Sequence, residues 1–301
     1  MNNVPLPDKR LVRASFDRAA AHYDEAAVLQ REVGARLVER LDLVKLQPQR
    51  ILEVGTGTGF CTAQLAQRYP QAQLIGLDIA PSMLAHARAR FSWWQRWRKR
   101  QGFVCADAES LPIADASVDL LFSNLTLQWC SDLDRTFEEF RRVLRPGGLL
   151  LFTTFGPDTL KELRNAWRAV DDTMHVNAFI DMHDIGDALV RTRLADPVMD
   201  REDIVMTYRE VRTLMHDLKS IGAHNVNSGR SSGLTGKRKL GAMLAAYEGF
   251  RQDDVLPATY EVLYGHAWAP ATPQQQRKND GVTAISVSQL RASLRHGNEE
   301  G

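Results

Sequence analysis

Apolar positions first recur at helical spacing. Between residues 9 and 46, Phe16, Ala19, Ala20 and Tyr23 form one stripe and Val33, Leu37, Val38 and Leu41 a second. Both predict amphipathic helices, and Pro48 marks the break after them. The period then shortens. Ile51-Leu52-Glu53-Val54 reads as a buried strand, a glycine run (Gly55, Gly57, Gly59) follows, and helical spacing resumes over 60–69. A second strand over 73–77 ends on Asp78. Further strands are predicted over 103–106, 118–124 and 149–155, with helices over 81–91 and 132–144 between them. The turn Arg145-Pro146-Gly147-Gly148 closes the second of these helices. Short apolar strands alternating with helices predict an α/β fold with a doubly wound, mostly parallel sheet.

Beyond Gly156 the alternation stops. Helices are predicted over 158–171, 182–192, 208–222 and 237–250, strands over 197–205 and 259–268, and a Gly/Ser/Asn loop over 224–236. Four segments result: an N-terminal helical cap (1–49), a nucleotide-binding core (50–156), a helical lid with the last strands (157–268), and a Pro/Gln/Ser-rich tail (269–301) predicted to be disordered.

The net charge of +1 excludes a global field of the kind nucleic acids attract. Charge is instead local: 208–251 holds eight Lys/Arg against three acids, whereas 171–203 holds nine acids against three arginines. Cys61, Cys105 and Cys130 are widely spaced, which fits reduced thiols and excludes a metal-binding Cys pattern; no His/Cys/Asp set has metal spacing. The N-terminus shows no apolar signal core and no run is long enough to span a bilayer, so a cytoplasmic location is expected.

The glycine run carries the chemistry. A strand, a glycine turn, a helix and a second strand ending on a carboxylate describe a βαβ unit for a nucleoside, with Asp78 placed to accept from a ribose diol. A dinucleotide fingerprint is G-x-G-x-x-G; here the pattern is G-x-G-x-G, preceded by Glu53. That form resembles the first motif of the class I S-adenosylmethionine methyltransferases. Asp78-Ile79 with Met83, Asp107-Ala108 and Asn124-Leu125 resemble the family segments that hold the ribose, meet the adenine edge and face the substrate. A narrower resemblance is carried by RAAAHYDEAA, SNLTLQWC, FRRVLRPGG and LKSIGAHN, which look like the malonyl-acyl-carrier-protein O-methyltransferases of biotin synthesis, over residues 13–268. It implies a seven-stranded Rossmann-like sheet with an inserted helical lid, S-adenosyl-L-methionine as cofactor, no metal, and an acyl-carrier protein as partner. The segment around Trp93 and Trp97 and the tail depart from that pattern. The same motifs also resemble a mitochondrial assembly factor that modifies arginine, and a methyltransferase for another small molecule, such as a quinone precursor, stays open.

A malonyl carboxylate is ionised at pH 7, so no general base is demanded. The acceptor pocket instead needs donors that hold one carboxylate oxygen and leave the other to attack. Tyr23 is the first candidate, followed by Gln128, Trp129, His175 and Lys219. An acidic carrier would suit the basic region of Lys219, Arg230, Lys237 and Arg238, with Arg96, Arg98, Lys99 and Arg100 as a second patch. Each also has a plain reading: Tyr23 as a staple, His175 as a structural ring, the cations as a solvated helix face.

Overall fold

The strand before the glycine run, β1 (Arg50–Val54), is buried at every position except Arg50. In the computed structural model, which describes residues 7–92, 100–171, 173–223 and 236–271, it lies in the middle of the sheet. It pairs in parallel with β2 (Gln73–Asp78) on one side and β4 (Val118–Ser123) on the other. With β3 (Gln101–Cys105), β5 (Leu144–Phe155), β6 (Ala195–Tyr208) and β7 (Leu256–Trp268), the strand order is β3-β2-β1-β4-β5-β7-β6. β7 runs antiparallel to both β5 and β6. The chain reverses winding direction between β1 and β4, and a crevice at the carboxyl ends of those strands is where an open α/β sheet binds its ligand.

The helices are α1 (Lys9–Ala19), α2 (Tyr23–Ala26), α3 (Val28–Glu39), α4 (Phe60–Arg68), α5 (Pro81–Ala89), α6 (Leu133–Val143), α7 (Lys161–Arg168), α8 (Met182–Arg191), α9 (Val211–Ser220) and α10 (Lys237–Glu248). Asp8, Asp132 and Asp181 cap α1, α6 and α8 by accepting from backbone N–H groups of the first turn. One apolar layer joins the sheet to α3, α4, α7, α9 and α10, and a second joins its other face to α6 and α8. A small satellite of Ala19, Ala20, Ala80 and Met83, with Phe16 and Tyr23 against it, fixes the N-terminal segment to α5. The described residues as far as Ala271 form one contact unit.

Three local expectations change. The N-terminal helical stretch divides at His22 into α1, α2 and α3, so the chain can bend over the end of β1. Arg145-Pro146-Gly147-Gly148 is not a free turn but the start of β5, held to Ala269 by reciprocal backbone hydrogen bonds from Gly147 and Gly148. The helix predicted from 158 starts at Lys161, because Leu160 takes a left-handed φ of 56°. Trp93 to Lys99, Arg230 and the tail beyond Ala271 lie outside the described residues. Among the described residues no helix is long and apolar enough to cross a membrane.

Candidate functional site

The glycine run folds back on β2: the amides of Gly55 and Thr56 both donate to the Leu77 carbonyl, at 2.8 and 3.0 Å. Gly55 has φ +78° and lies so close to Thr126 that a Cβ there would stand 1.8 Å from its hydroxyl oxygen. Gly57 differs. Its φ is +55°, yet a Cβ would meet nothing within 4 Å, so this residue faces open space. Its amide donates to Asp78 Oδ2 at 2.8 Å, and Ala80 donates to Oδ1 at 2.9 Å. Asp78 is 8% exposed. Burial pushes its carboxyl up to about 6 despite these backbone donors. Burial also raises Glu53 to about 8, against hydrogen bonds from Thr62 and Thr56, so Glu53 is mostly protonated at neutral pH.

The bent N-terminal segment roofs this loop. Thr58 Oγ1 donates to Asp24 Oδ1 at 2.5 Å, Arg90 Nε donates to the Thr58 carbonyl at 2.6 Å, and Arg90 also pairs with Asp24. Arg31 donates to the Asp24 carbonyl. Phe16 packs edge-on against Trp129 (ring centroids 5.3 Å) and against Tyr23 (6.5 Å). Burial, with the Asp78 and Asp24 carboxylates nearby, holds the Tyr23 phenol far above its ordinary value, so its hydroxyl stays a donor.

Roof and loop line an open cleft. Glu53, Gly55, Gly57, Asp78, Ile79, Met83, Asp107, Ala108, Asn124 and Leu125 all line it, as do Tyr23 and Trp129. Gly59 does not; it begins α4 at φ +86°, where a Cβ would stand 2.9 Å from Ala87. Asp107 receives Lys9 Nζ at 2.8 Å, and Lys9 also reaches Glu109 at 3.0 Å. Asn124 bridges the wall, donating to the Gln30 carbonyl at 2.9 Å and accepting from Thr153 at 2.8 Å.

The other acceptor-side candidates are elsewhere. Gln128 spends its amide inside the protein, donating to the Leu125 carbonyl at 2.7 Å and accepting from Thr154 at 3.1 Å. His175 stacks on Trp167 (3.7 Å, 10°) and hydrogen-bonds through Nε2 to Asp171 Oδ1 at 2.8 Å. His175 and exposed Lys219 line a separate cleft. Sequence reading missed Lys9, Phe16, Asp24 and Arg31, which also line the first cleft. For Asp24 the sequence offered a hint, the His22-Tyr23-Asp24 run just after a small-residue helix.

The cleft fits an adenosine-bearing ligand. It offers a carboxylate at the end of β2 for a diol, an open backbone face at Gly57, apolar Ile79 and Met83, and a second carboxylate at Asp107. Among the described residues no group of three or more His, Cys, Asp or Glu side chains could hold a metal ion.

Residues 52–152 match a family described as a methyltransferase domain. The chain is 54% identical, over 93% of its own length and 97% of the relative's, to a malonyl-[acyl-carrier protein] O-methyltransferase of Gallionella capsiferriformans. It is 57% identical to one from Methylovorus sp., over 88% of this chain and 90% of that one. Among solved structures, a phosphoethanolamine N-methyltransferase of Haemonchus contortus with S-adenosylhomocysteine superposes with a TM-score of 0.53 at 18% identity, covering 86% of this chain and 60% of that one. At that identity the likeness speaks for the fold alone.

Proposed function

The chain belongs to the malonyl-[acyl-carrier protein] O-methyltransferase family, and we propose that it transfers a methyl group from S-adenosyl-L-methionine to the free carboxylate of a malonyl thioester on an acyl-carrier protein. The product is the malonyl methyl ester used in biotin synthesis, and the setting is the cytoplasm. One observation carries the reading: the Tyr23 phenol, a hydrogen-bond donor at neutral pH, lines the same cleft as Gly57 and the Asp78 carboxylate that accepts from its amide.

Bound S-adenosyl-L-methionine supplies an electrophilic methyl group on a sulfonium. Asp78 would hold the ribose diol, Ile79 and Met83 would flank the adenine, and Asp107 with Ala108 would meet its edge. Glu53, neutral by burial, keeps a second negative charge away from Asp78. The acceptor carboxylate arrives ionised, so the protein's task is orientation and the exclusion of water. Tyr23 donates to one carboxylate oxygen and leaves the other to attack. Phe16 and Trp129 wall the acceptor side with aromatic surface. Alignment of this kind lowers a barrier by roughly 7–11 kcal/mol. Gln128, His175 and Lys219 have no contact role in this arrangement. For the carrier, Lys219, Lys237 and Arg238 are exposed and have no ion pair among the described residues, whereas Lys239 is held by Asp171 and Arg100 by Pro70 and Gln71.

Methyl-labelled S-adenosylmethionine offered with malonyl-carrier, succinyl-carrier and malonyl-coenzyme A is the test. The expected product is a base-labile ester on malonyl-carrier, with succinyl-carrier far slower. Cofactor binding with no ester on any malonyl thioester would sink the reading.

A further inference from the structure

Charge in the first cleft does not close on itself. Among the described residues, the Lys, Arg, Asp and Glu that line it are Lys9, Asp24, Arg31, Glu53, Asp78 and Asp107. Four of them are settled within the protein. Lys9 pairs with Asp107, Asp24 pairs with Arg90, and burial keeps Glu53 mostly protonated at neutral pH. Asp78 is the carboxylate at the end of β2 that suits a diol. Arg31 is left over. Its Nη1 donates to the Asp24 carbonyl, and its guanidinium has no carboxylate partner among the described residues. A guanidinium carries five N–H donors in a planar fork, so this half-buried side chain keeps its charge and most of its donors for an anion that enters the cleft.

Its place in the fold says which anion. Arg31 lies in the first turn of α3, and Asn124, just past β4, donates to the carbonyl of the preceding residue, Gln30, at 2.9 Å. On the other side, the Asp24 that orients Arg31 accepts from Thr58, the residue after Gly57. Arg31 is thus tied to the ends of β4 and β1, where the sheet reverses its winding. Asp107, Asp78 and the glycine turn follow the ends of β3, β2 and β1, three neighbouring strands. An adenosine with its base at Asp107 and its diol at Asp78 therefore sends its 5′ substituent toward the glycine turn and Arg31. In S-adenosyl-L-methionine that substituent is an amino acid, and its α-carboxylate is the cofactor's one anionic group. The acceptor's carboxylate is a poorer match: a guanidinium fork engages both oxygens at once, which suits a spectator group and quenches a nucleophile. We propose that Arg31 binds the α-carboxylate at the amino-acid end of the cofactor, oriented for it by the Asp24 carbonyl. The assignment rests on the cofactor reading given above and names the residue that tells the whole cofactor from a bare nucleoside.

Calorimetric titration with S-adenosylhomocysteine and with its decarboxylated form, which keeps the nucleoside, the thioether and the ammonium, reads the contact without any methyl transfer. Wild-type protein should bind the carboxylate-bearing ligand more tightly. R31M should weaken S-adenosylhomocysteine by roughly tenfold to a hundredfold, the worth of charge-assisted hydrogen bonds, and bind the decarboxylated form as the wild type does. R31K, a point charge without the fork, should recover part of the difference. Equal loss for both ligands in R31M would make Arg31 a structural residue and overturn the proposal. Unchanged S-adenosylhomocysteine binding with a raised KM for malonyl-carrier would also overturn it, by moving Arg31 to the acceptor. Failure of the wild type to bind S-adenosylhomocysteine would remove the cofactor reading and this contact together. Selective loss of the carboxylate-bearing ligand in a protein that forms no ester on any malonyl thioester would remove the reaction and leave the contact standing.

Discussion

At the scale of single residues the site turns on where protons sit. Asp78 titrates near 6 because burial opposes its charge more strongly than two backbone donors favour it. Only the ionised form accepts from both hydroxyls of a diol, so ligand binding and deprotonation favour one another. Affinity for S-adenosylhomocysteine should therefore rise between about pH 5 and about pH 7 and level off above. In D78N that rise should vanish, and binding at neutral pH should weaken by about tenfold or more, the worth of a charge-assisted hydrogen bond. Calorimetric titration across the range checks both, and a slope that survives in D78N would assign the titration to another group. Asp78 was legible in the sequence because its partners are local: the glycine loop and its carboxylate belong to one βαβ unit. Asp24 was not. Its carboxylate works through Thr58 and Arg90, 34 and 66 positions away, and no periodicity encodes those distances.

At the scale of elements, glycines show how closely helices are set against the site. α3 carries Gly34 where a Cβ would stand 2.5 Å from Cys61 Sγ and 3.0 Å from Asn124 Nδ2, the amide that ties the site wall to α3. Gly186 sits inside α8 with nothing within 4 Å of its Cβ position. One substitution should thus act with opposite signs. G34A should cost about 1–3 kcal/mol by overpacking, whereas G186A should gain about 0.4–1 kcal/mol by restricting the unfolded chain. Denaturant melts of the two variants measure this, and a neutral G34A would mean that α3 can retreat from α4. The existence of most elements was legible, since a buried parallel strand and an amphipathic helix have different periods. Their ends were less so. β5 begins five residues early because Gly147 and Gly148 find backbone partners at Ala269, more than a hundred positions away. A Pro-Gly-Gly run carries no trace of such a partner.

At the scale of the whole molecule, the acidic stretch over 171–203 and the basic stretch after it nearly cancel in the sequence, but they meet different fates in the fold. Asp200, Glu202 and Asp203 on β6 are matched by Arg40, Arg36 and Arg201. Arg18, Arg212, Lys219, Lys237 and Arg238 find no acid among the described residues. A chain with a net charge of +1 therefore keeps cations on the surface that includes the second cleft, a separation that counting along the chain suggests but cannot locate. Such a surface would draw an acidic carrier through water, and exposed charges are screened over about 10 Å at 0.1 M salt. KM for malonyl-carrier should accordingly climb severalfold between about 50 and about 300 mM salt, while kcat changes little. Malonyl-pantetheine, lacking the protein, should show no such climb. The double variant R212E/K219E should begin with a high KM for malonyl-carrier and lose most of its salt dependence, because its encounter is no longer steered. A salt response of equal size for both substrates would place the effect inside the clefts and take these cations out of carrier recognition.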